Sequence, residues 1–221
     1  EGTIYDSPEV LQDRISSSQA LLEENKNLVI GLVIGLVLIL VAAFGYTQYD
    51  MAQEQEAQAE LSPAIFYYEK DSLSKALEGD NNSTIGMLGV VDEYSGSDAA
   101  NLANFYIGSI YLDQGKFDEA IPYLEDFSGN DVLIQARAYS LIGDAYMEKE
   151  AYEDAISYYE KASNYEPNDK FTPTYLMKLA LAQRVSGDEE GAMATYEELI
   201  QEYPTSRELN NAKKALAALE A

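Results

Sequence analysis

The chain has 221 residues and a formal net charge of −25, which comes from 39 acidic and 14 basic side chains. A surface this negative repels phosphate backbones, so the composition excludes nucleic acid as a partner. The absence of Cys and His removes disulfides, thiolate and imidazole metal sites, and every Ser-His or Cys-His nucleophile. An enzyme of this composition has only carboxylates, Lys and Tyr for acid-base chemistry.

Residues 1–26 form a mixed polar segment ahead of the first apolar stretch. Ser7, Pro8 and Glu9 stand in the order of a helix start, with a capping hydroxyl, a proline at the first helical position and an acid in the first turn. Apolar residues then recur at near-helical spacing from Val10 to Leu22. Two interpretations stay open: a short amphipathic helix at the cytoplasmic membrane surface or against a partner, and a partly disordered tail.

Residues 27–49 contain no charged side chain, and Leu28 to Tyr46 are almost wholly apolar. A helix of that apolar length spans about 28 Å, which matches the hydrocarbon core of a bilayer. We therefore predict a single transmembrane helix that places one part of the chain in the lipid bilayer. A cleaved signal peptide has a shorter apolar core, and a buried core helix rarely lacks a polar face over this length, so both alternatives fit the pattern less well.

The residues that flank this helix predict its orientation. Arg14 and Lys26 precede it, whereas no Lys or Arg occurs from residue 27 to residue 69. The positive-inside rule then predicts a cytoplasmic N-terminus and a C-terminal domain on the opposite, outer side of the membrane. Gly31 and Gly35 form a Gly-x-x-x-Gly pair, which is typical of a face where a second transmembrane helix packs closely.

Residues 50–62 are rich in helix formers and predict a helical stalk. Ser62 and Pro63 are predicted to end the stalk, and a new amphipathic helix is predicted to continue to Gly79. A second short helix is expected to follow, so that residues 63–95 form a degenerate first unit of a domain at 63–221. Residues 80–84 resemble a calcium loop only faintly, because Val91 occupies the twelfth position where an acid is required, and a turn is the better interpretation.

The chain then repeats itself. Gly108, Tyr111 and Ala120 return 35 residues later as Gly143, Tyr146 and Ala155, and a third copy with Ala180, Ala192, Tyr196 and Pro204 follows after a further 37 residues. Such spacing predicts helix-turn-helix units of tetratricopeptide type at about 99–133, 136–170 and 173–205, closed by a capping helix at 207–221. The predicted fold class is all-α: one N-terminal transmembrane helix followed by a tetratricopeptide-repeat α-solenoid.

The repeat has a mechanical explanation. The small residues Gly108, Gly143 and Ala180 are expected to let the first helix of each unit approach the second. Most of the 18 tyrosines fall where the repeat needs bulk between helices, so they are interpreted as core residues in preference to binding residues. Acidic pairs such as Asp118 and Glu119 fall at predicted helix starts, where they complement helix dipoles. No pair of acids is isolated in an apolar setting, so we predict no catalytic residue, no cofactor and no metal site.

The concave face of the solenoid is the predicted binding surface. Projection of the repeat onto the first helices places nine candidate groove residues there: Leu102, Phe105, Arg137, Ser140, Asp144, Met147, Met177, Leu181 and Arg184. Arg137 and Arg184 are cations in an acidic protein and suit a partner's carboxylate. The methionines suit adaptable apolar contacts. Each of these residues also fits an ordinary solvated or packed role.

The order of these segments resembles the YfgM family, ancillary subunits of the bacterial SecYEG translocon. The likeness is carried by Arg14 to Tyr49, with Glu24-Asn25-Lys26 before the span, and by the unit from Ala99 to Phe127. This resemblance implies a noncatalytic inner-membrane protein beside SecYEG that pairs with a PpiD-like membrane-anchored chaperone and assists exported client proteins in the periplasm. An assembly scaffold of another secretion or respiratory complex, and an enzyme that relies on carboxylates, are the alternatives.

Overall fold

The computed structural model describes residue 23 and residues 25–80, 84–129 and 132–221, and every regular element in that part of the chain is an α-helix. The described residues fall into two compact units, one that extends to Ala52 and one that spans Gln53–Ala221. The N-terminal amphipathic segment of the sequence prediction lies outside the described residues. The helices are α1 Lys26–Glu69, α2 Leu73–Glu78, α3 Gly86–Glu93, α4 Asp98–Asp113, α5 Phe117–Asp126, α6 Val132–Glu148, α7 Tyr152–Asn164, α8 Thr172–Ser186, α9 Glu189–Glu202 and α10 Leu209–Leu219.

The first half of α1 is the apolar stretch, and its large side chains face outward. Leu32 and Phe44 are exposed by 66% and 68%, and the same holds for most of their apolar neighbours. Among the described helices, α1 alone is long and apolar enough to cross a membrane. Around Gly31 and Gly35, the space that a side chain would occupy is open, so this face leaves room for a close neighbour.

The sequence predicted that the stalk helix ends at Ser62 and Pro63. In the structure, helix α1 instead runs through Pro63 to Glu69. Pro63 removes one backbone hydrogen bond, yet the helix is held on both sides of it by Ala57, Leu61 and Ala64, which are buried on one face at helical spacing. The Ser62 hydroxyl turns back to donate to the carbonyl of Gln58. Burial of this face explains why the second compact unit already begins at Gln53.

The helix that was predicted to continue to Gly79 is instead broken after Glu69. Asp71 takes a left-handed conformation, with φ 58°, and the short helix α2 starts again at Leu73. An aspartate tolerates this conformation better than most residues, and the sequence prediction missed that signal. Asp80 and Thr84 then face each other in an isolated β-bridge, and the backbone N–H of Asp80 donates to the Thr84 hydroxyl.

Three helix pairs follow: α4 with α5, α6 with α7, and α8 with α9. In each pair the predicted small residue meets the second helix. A Cβ on Gly108 would lie 2.5 Å from Cγ of Leu124, and one on Gly143 would lie 2.6 Å from Cε1 of Tyr159. Ala180 is fully buried at the same place in the third pair. The spacing therefore reflects close helix packing, as the sequence predicted.

The turn between the two helices of each pair also repeats. Gly115, Glu150 and Gly187 all have positive φ, at 71°, 59° and 94°. In each turn the next residue donates its N–H to the carbonyl five residues earlier, as Lys116 does to Tyr111 at 2.8 Å. The residue with positive φ also donates its own N–H, as Gly115 does to the carbonyl of Leu112 at 2.9 Å. The two hydrogen bonds satisfy carbonyls at the end of the first helix that would otherwise lack partners. The second pair uses a glutamate where the others use glycine, so it carries backbone strain there.

Several tyrosines lie between the helices, and one further helix, α10, follows the third pair. Tyr159 and Tyr196 are buried to 3% and 2% exposure, and Tyr111 and Tyr146 are half-buried between helices. Helix α10 buries Ala212 completely and packs on α9. Its lysines Lys213 and Lys214 are exposed. Acidic residues lie in the first turns of α5, α7 and α9, where they complement the helix dipoles.

Candidate functional site

A cavity of about 620 Å³ opens between the first helices of the three pairs. Its apolar lining consists of Leu112 on α4, Phe117 at the start of α5, Met147 on α6 and Leu181 on α8. Leu181 is 40% exposed, although it is a large apolar side chain in a packed solenoid. Its volume lies within the range of ligand-binding clefts. We call it the first-helix cavity.

One wall of the cavity is a polar network that joins the second and third pairs. The Lys178 ammonium on α8 donates to both carboxylate oxygens of Asp144 on α6, at 2.8 and 2.7 Å, and to the Ser140 hydroxyl at 3.0 Å. The Tyr159 hydroxyl on α7 donates to Asp144 Oδ1 at 2.6 Å. These contacts tie three helices together at the point where Gly143 allows Tyr159 to lie close.

Tyr159 is a permanent donor in this network. Its burial raises the pKa of the phenol well above the usual range, and the negative charge of Asp144 raises the pKa further. Tyr159 therefore stays protonated at every physiological pH and keeps its hydrogen bond to Asp144. A group with this titration behaviour holds a structure together and does not act as a general base near neutral pH.

Two further acids, Asp113 at the end of α4 and Glu148 at the end of α6, line the same cavity and are exposed. Among the described residues, the ion pairs are Lys178 with Asp144 and Lys149 with Asp118, so neither Asp113 nor Glu148 is paired with a cation there. Three carboxylates and one ammonium thus line the cavity. Its formal charge is negative.

The nine groove residues that the sequence predicted separate into different environments. Asp144, Met147 and Leu181 line the first-helix cavity. Phe105 and Ser140 are buried, at 9% and 2% exposure, because the Phe105 ring packs 5.4 Å from that of Phe127 and Ser140 accepts from Lys178. The remaining four lie outside the cavity: Leu102 and Met177 are half-buried, and Arg137 and Arg184 are exposed.

Lys178 is the main residue of this site that sequence reasoning missed. It lies between the groove positions Met177 and Leu181 and does not occupy a position that the repeat projects onto the concave face. A signal was nevertheless present, because Lys178 is the only charged residue from Thr172 to Gln183 on α8 and is followed by Leu179, Ala180 and Leu181. A lone ammonium in such a setting requires partners, and α6 supplies them.

Comparison with known proteins identifies the repeat. Two tetratricopeptide-repeat family models match this chain, one at residues 107–169 and the other at residues 175–206. No curated protein matches it.

Two solved structures share the fold. One is MamA 41-end from Desulfovibrio magneticus RS-1, with 20% identity, a TM-score of 0.51, and coverage of 66% of this chain and 74% of that one. The other is a crystal structure of MamA, with 20% identity, a TM-score of 0.53, and coverage of 71% and 86%. The sequence prediction of an all-α chain with tetratricopeptide repeats is therefore confirmed.

Proposed function

We propose that the chain is a noncatalytic interaction module that is anchored in a membrane by α1 and binds other proteins through the first-helix cavity. The cavity carries the proposal, because it combines apolar side chains, of which Leu181 is exposed, with charged groups between the first helices of the repeats. The repeats themselves are a class of protein-interaction module. No step of this function requires a nucleophile or a general base.

Membrane anchoring is supported by the 23 uncharged residues of the apolar stretch and by their outward-facing side chains. The lipid tails of a bilayer solvate such an apolar surface favourably, whereas its exposure to water costs free energy. The basic residues on its N-terminal side favour a cytoplasmic N-terminus, with the repeats on the outer side of the membrane. The resemblance to the YfgM family favours a bacterial inner membrane, with the repeats in the periplasm. Because the repeats follow the anchor directly in the chain, tethering raises their effective concentration near other membrane proteins.

The partner that we propose is the SecYEG translocon, with a PpiD-like membrane-anchored chaperone as the second partner and newly exported chains as clients. The resemblance to the YfgM family supports this assignment. It agrees with a binding surface that offers weak apolar contacts close to a membrane. An assembly scaffold of another envelope complex uses the same anchor and the same repeats, so the identity of the membrane neighbour distinguishes the two functions.

A cross-linking experiment tests this assignment. A photoreactive residue is placed at Gly31 or Gly35 in the native host, and a second is placed at the exposed Leu40, on the opposite face of the same helix, as a control for position. We expect adducts with the translocon channel from the glycine positions, because small residues mark the face where helices pack closely. Adducts with a different envelope complex would support the scaffold function, and adducts with neither would contradict both.

A protease experiment tests the orientation. Intact cells and opened cells are treated with protease, and the fragment that carries the Pro204 end of the chain is followed. Periplasmic repeats should be cleaved once the outer envelope is permeable, before the inner membrane is broken. Cleavage only after lysis of the inner membrane, or release of the protein by alkaline carbonate, would contradict the proposed anchoring.

A further inference from the structure

We propose that the first-helix cavity selects polypeptide segments in which a Lys or Arg stands beside an apolar side chain. This specificity rests on the proposed interaction function and adds the chemistry of the bound segment. The apolar part would contact Leu112, Met147 and Leu181. The cation would lie against the carboxylates of Asp113 and Glu148.

The apolar side of the cavity gives room for an apolar side chain of the bound segment. Four apolar residues, Leu112, Phe117, Met147 and Leu181, contribute to the lining of the whole cavity, whose volume is about 620 Å³. Among them, Leu181 keeps 40% of its surface exposed. Burying these side chains against a partner removes apolar surface from water, which favours binding. Met147 adds a flexible contact that adapts to different apolar side chains.

The acidic half of the cavity gives the charge preference. Asp113 and Glu148 lie at the C-terminal ends of α4 and α6, where the helix dipole adds further negative potential. Neither is in an ion pair with another described residue. Glu148 is also close enough to Tyr159 to raise the pKa of that phenol, after the larger effects of burial and of Asp144. A bound cation would therefore meet two carboxylates without displacing an existing partner.

Three nearby cations, Lys178, Arg137 and Arg184, do not oppose that preference. The Lys178 ammonium has three N–H donors, and its three contacts are to Asp144 and Ser140, so it is occupied inside the protein. The charge of Arg137 lowers the pKa of the phenols of Tyr106 and Tyr175, against the larger effect of burial, and the charge of Arg184 does the same for Tyr196. Neither arginine lines the cavity. The cavity is therefore expected to select a positively charged group of the partner, whereas the two arginines led the sequence analysis to expect a negatively charged one.

A peptide array tests this specificity. The full chain is reconstituted in nanodiscs of neutral phosphatidylcholine, and empty discs serve as the blank. The array holds nonapeptides with one Leu, Met or Phe and one Arg, Gln or Glu at neighbouring spacings in a Gly-Ser background. At low salt we expect Arg peptides to bind about tenfold more tightly than matched Glu peptides, with a difference that shrinks as salt rises.

Variants assign the preference to the cavity. Asp113→Asn with Glu148→Gln should abolish the difference between Arg and Glu peptides. The matched control, Glu160→Gln with Glu197→Gln, removes the same charge from exposed positions outside the cavity and should leave the difference intact. Leu181→Ser should weaken all peptides alike. Thermal melting of each variant checks that the repeats remain folded.

The outcomes separate this inference from the function on which it rests. If Arg and Glu peptides bind equally and Leu181→Ser weakens both, the interaction function stands and the charge preference is wrong. The same conclusion follows if the control pair of substitutions removes the preference as completely as the cavity pair does. If no peptide binds, or if Leu181→Ser has no effect, both the cavity function and the charge preference are contradicted.

Discussion

The second and third helix pairs share one spacing but fill it differently. In the second pair, Gly143 lies under Tyr159, whose hydroxyl is bound by Asp144 and, through it, by Lys178. In the third pair, Ala180 and Tyr196 occupy the same positions, 37 residues later. The positions that repeat are those that pack helices. The residues that give the surface its chemistry do not repeat, and this difference makes one part of the solenoid a binding site.

The largest expected effect comes from filling the space at Gly143. Gly143→Ala places a Cβ 2.6 Å from the Tyr159 ring, which is buried and hydrogen-bonded and therefore cannot move away easily. We expect a loss of about 2 kcal/mol in the free energy of unfolding, as is usual for an overpacked core. Urea denaturation followed by circular dichroism measures it.

Gly115→Ala is the matched control for this substitution, because it adds the same methyl group where nothing lies within 4 Å. Its cost is limited to the positive φ of that turn, about 1 kcal/mol. An equal loss from both substitutions would show that close packing at Gly143 does not limit the second pair.

The next effect concerns the bond between the second and third pairs. A double-mutant cycle with Asp144→Asn and Lys178→Met should give a coupling energy of about 1–2 kcal/mol, because both side chains are partly buried and share several hydrogen bonds. Denaturation of the four chains, each with the same optical probe, measures the coupling.

The Lys149–Asp118 pair is the control for this cycle, since its side chains are 34% and 83% exposed. Solvent screens such a surface pair, so its coupling energy should be close to zero. Similar coupling energies in the two cycles would mean that the Asp144–Lys178 network has no special role in joining the pairs.

A smaller effect is expected at the turn of the second pair. Glu150 has φ 59° where the other two pairs have glycine. Glu150→Gly should raise the free energy of unfolding by about 0.5–1 kcal/mol, because glycine adopts this conformation without strain. Gly187→Ala should lower it by a similar amount. A rise in stability with Gly187→Ala would show that the turn conformation does not limit either pair.

The smallest expected effect is the contribution that the raised pKa of the Tyr159 phenol makes to the pH dependence of the free energy of unfolding. Burial and Asp144 raise its folded-state pKa above the ordinary value of 10.0. Its contribution to stability is therefore complete below pH 10 and is lost as pH rises above that value, because the unfolded chain releases this proton first. Tyr159→Phe should remove part of the alkaline loss of stability, as followed by denaturation at pH 8 and pH 11. Equal alkaline losses in both chains would contradict the raised pKa.

Residues that recur were predictable from the sequence. Gly108 and Gly143 mark close helix contacts because each unit solves the same packing problem, so the period alone revealed their role. Pro63 was misread because the burial of Ala57, Leu61 and Ala64 depends on distant helices. Lys178 was missed because its partner, Asp144, lies 34 residues earlier in the chain. Helix propensities of neighbouring residues predict neither the burial around Pro63 nor the contact between Lys178 and Asp144.

Photo-cross-linking is the most direct test of whether the first-helix cavity binds segments of other proteins. A photoreactive residue replaces Leu181 in the native host, and the same residue replaces Phe66, which is 55% exposed and does not line the cavity, as a control. Mass spectrometry then identifies the cross-linked segments. We expect adducts from Leu181, but not from Phe66, with apolar segments that contain a Lys or Arg. Equal adducts from both positions, or none from Leu181, would contradict it.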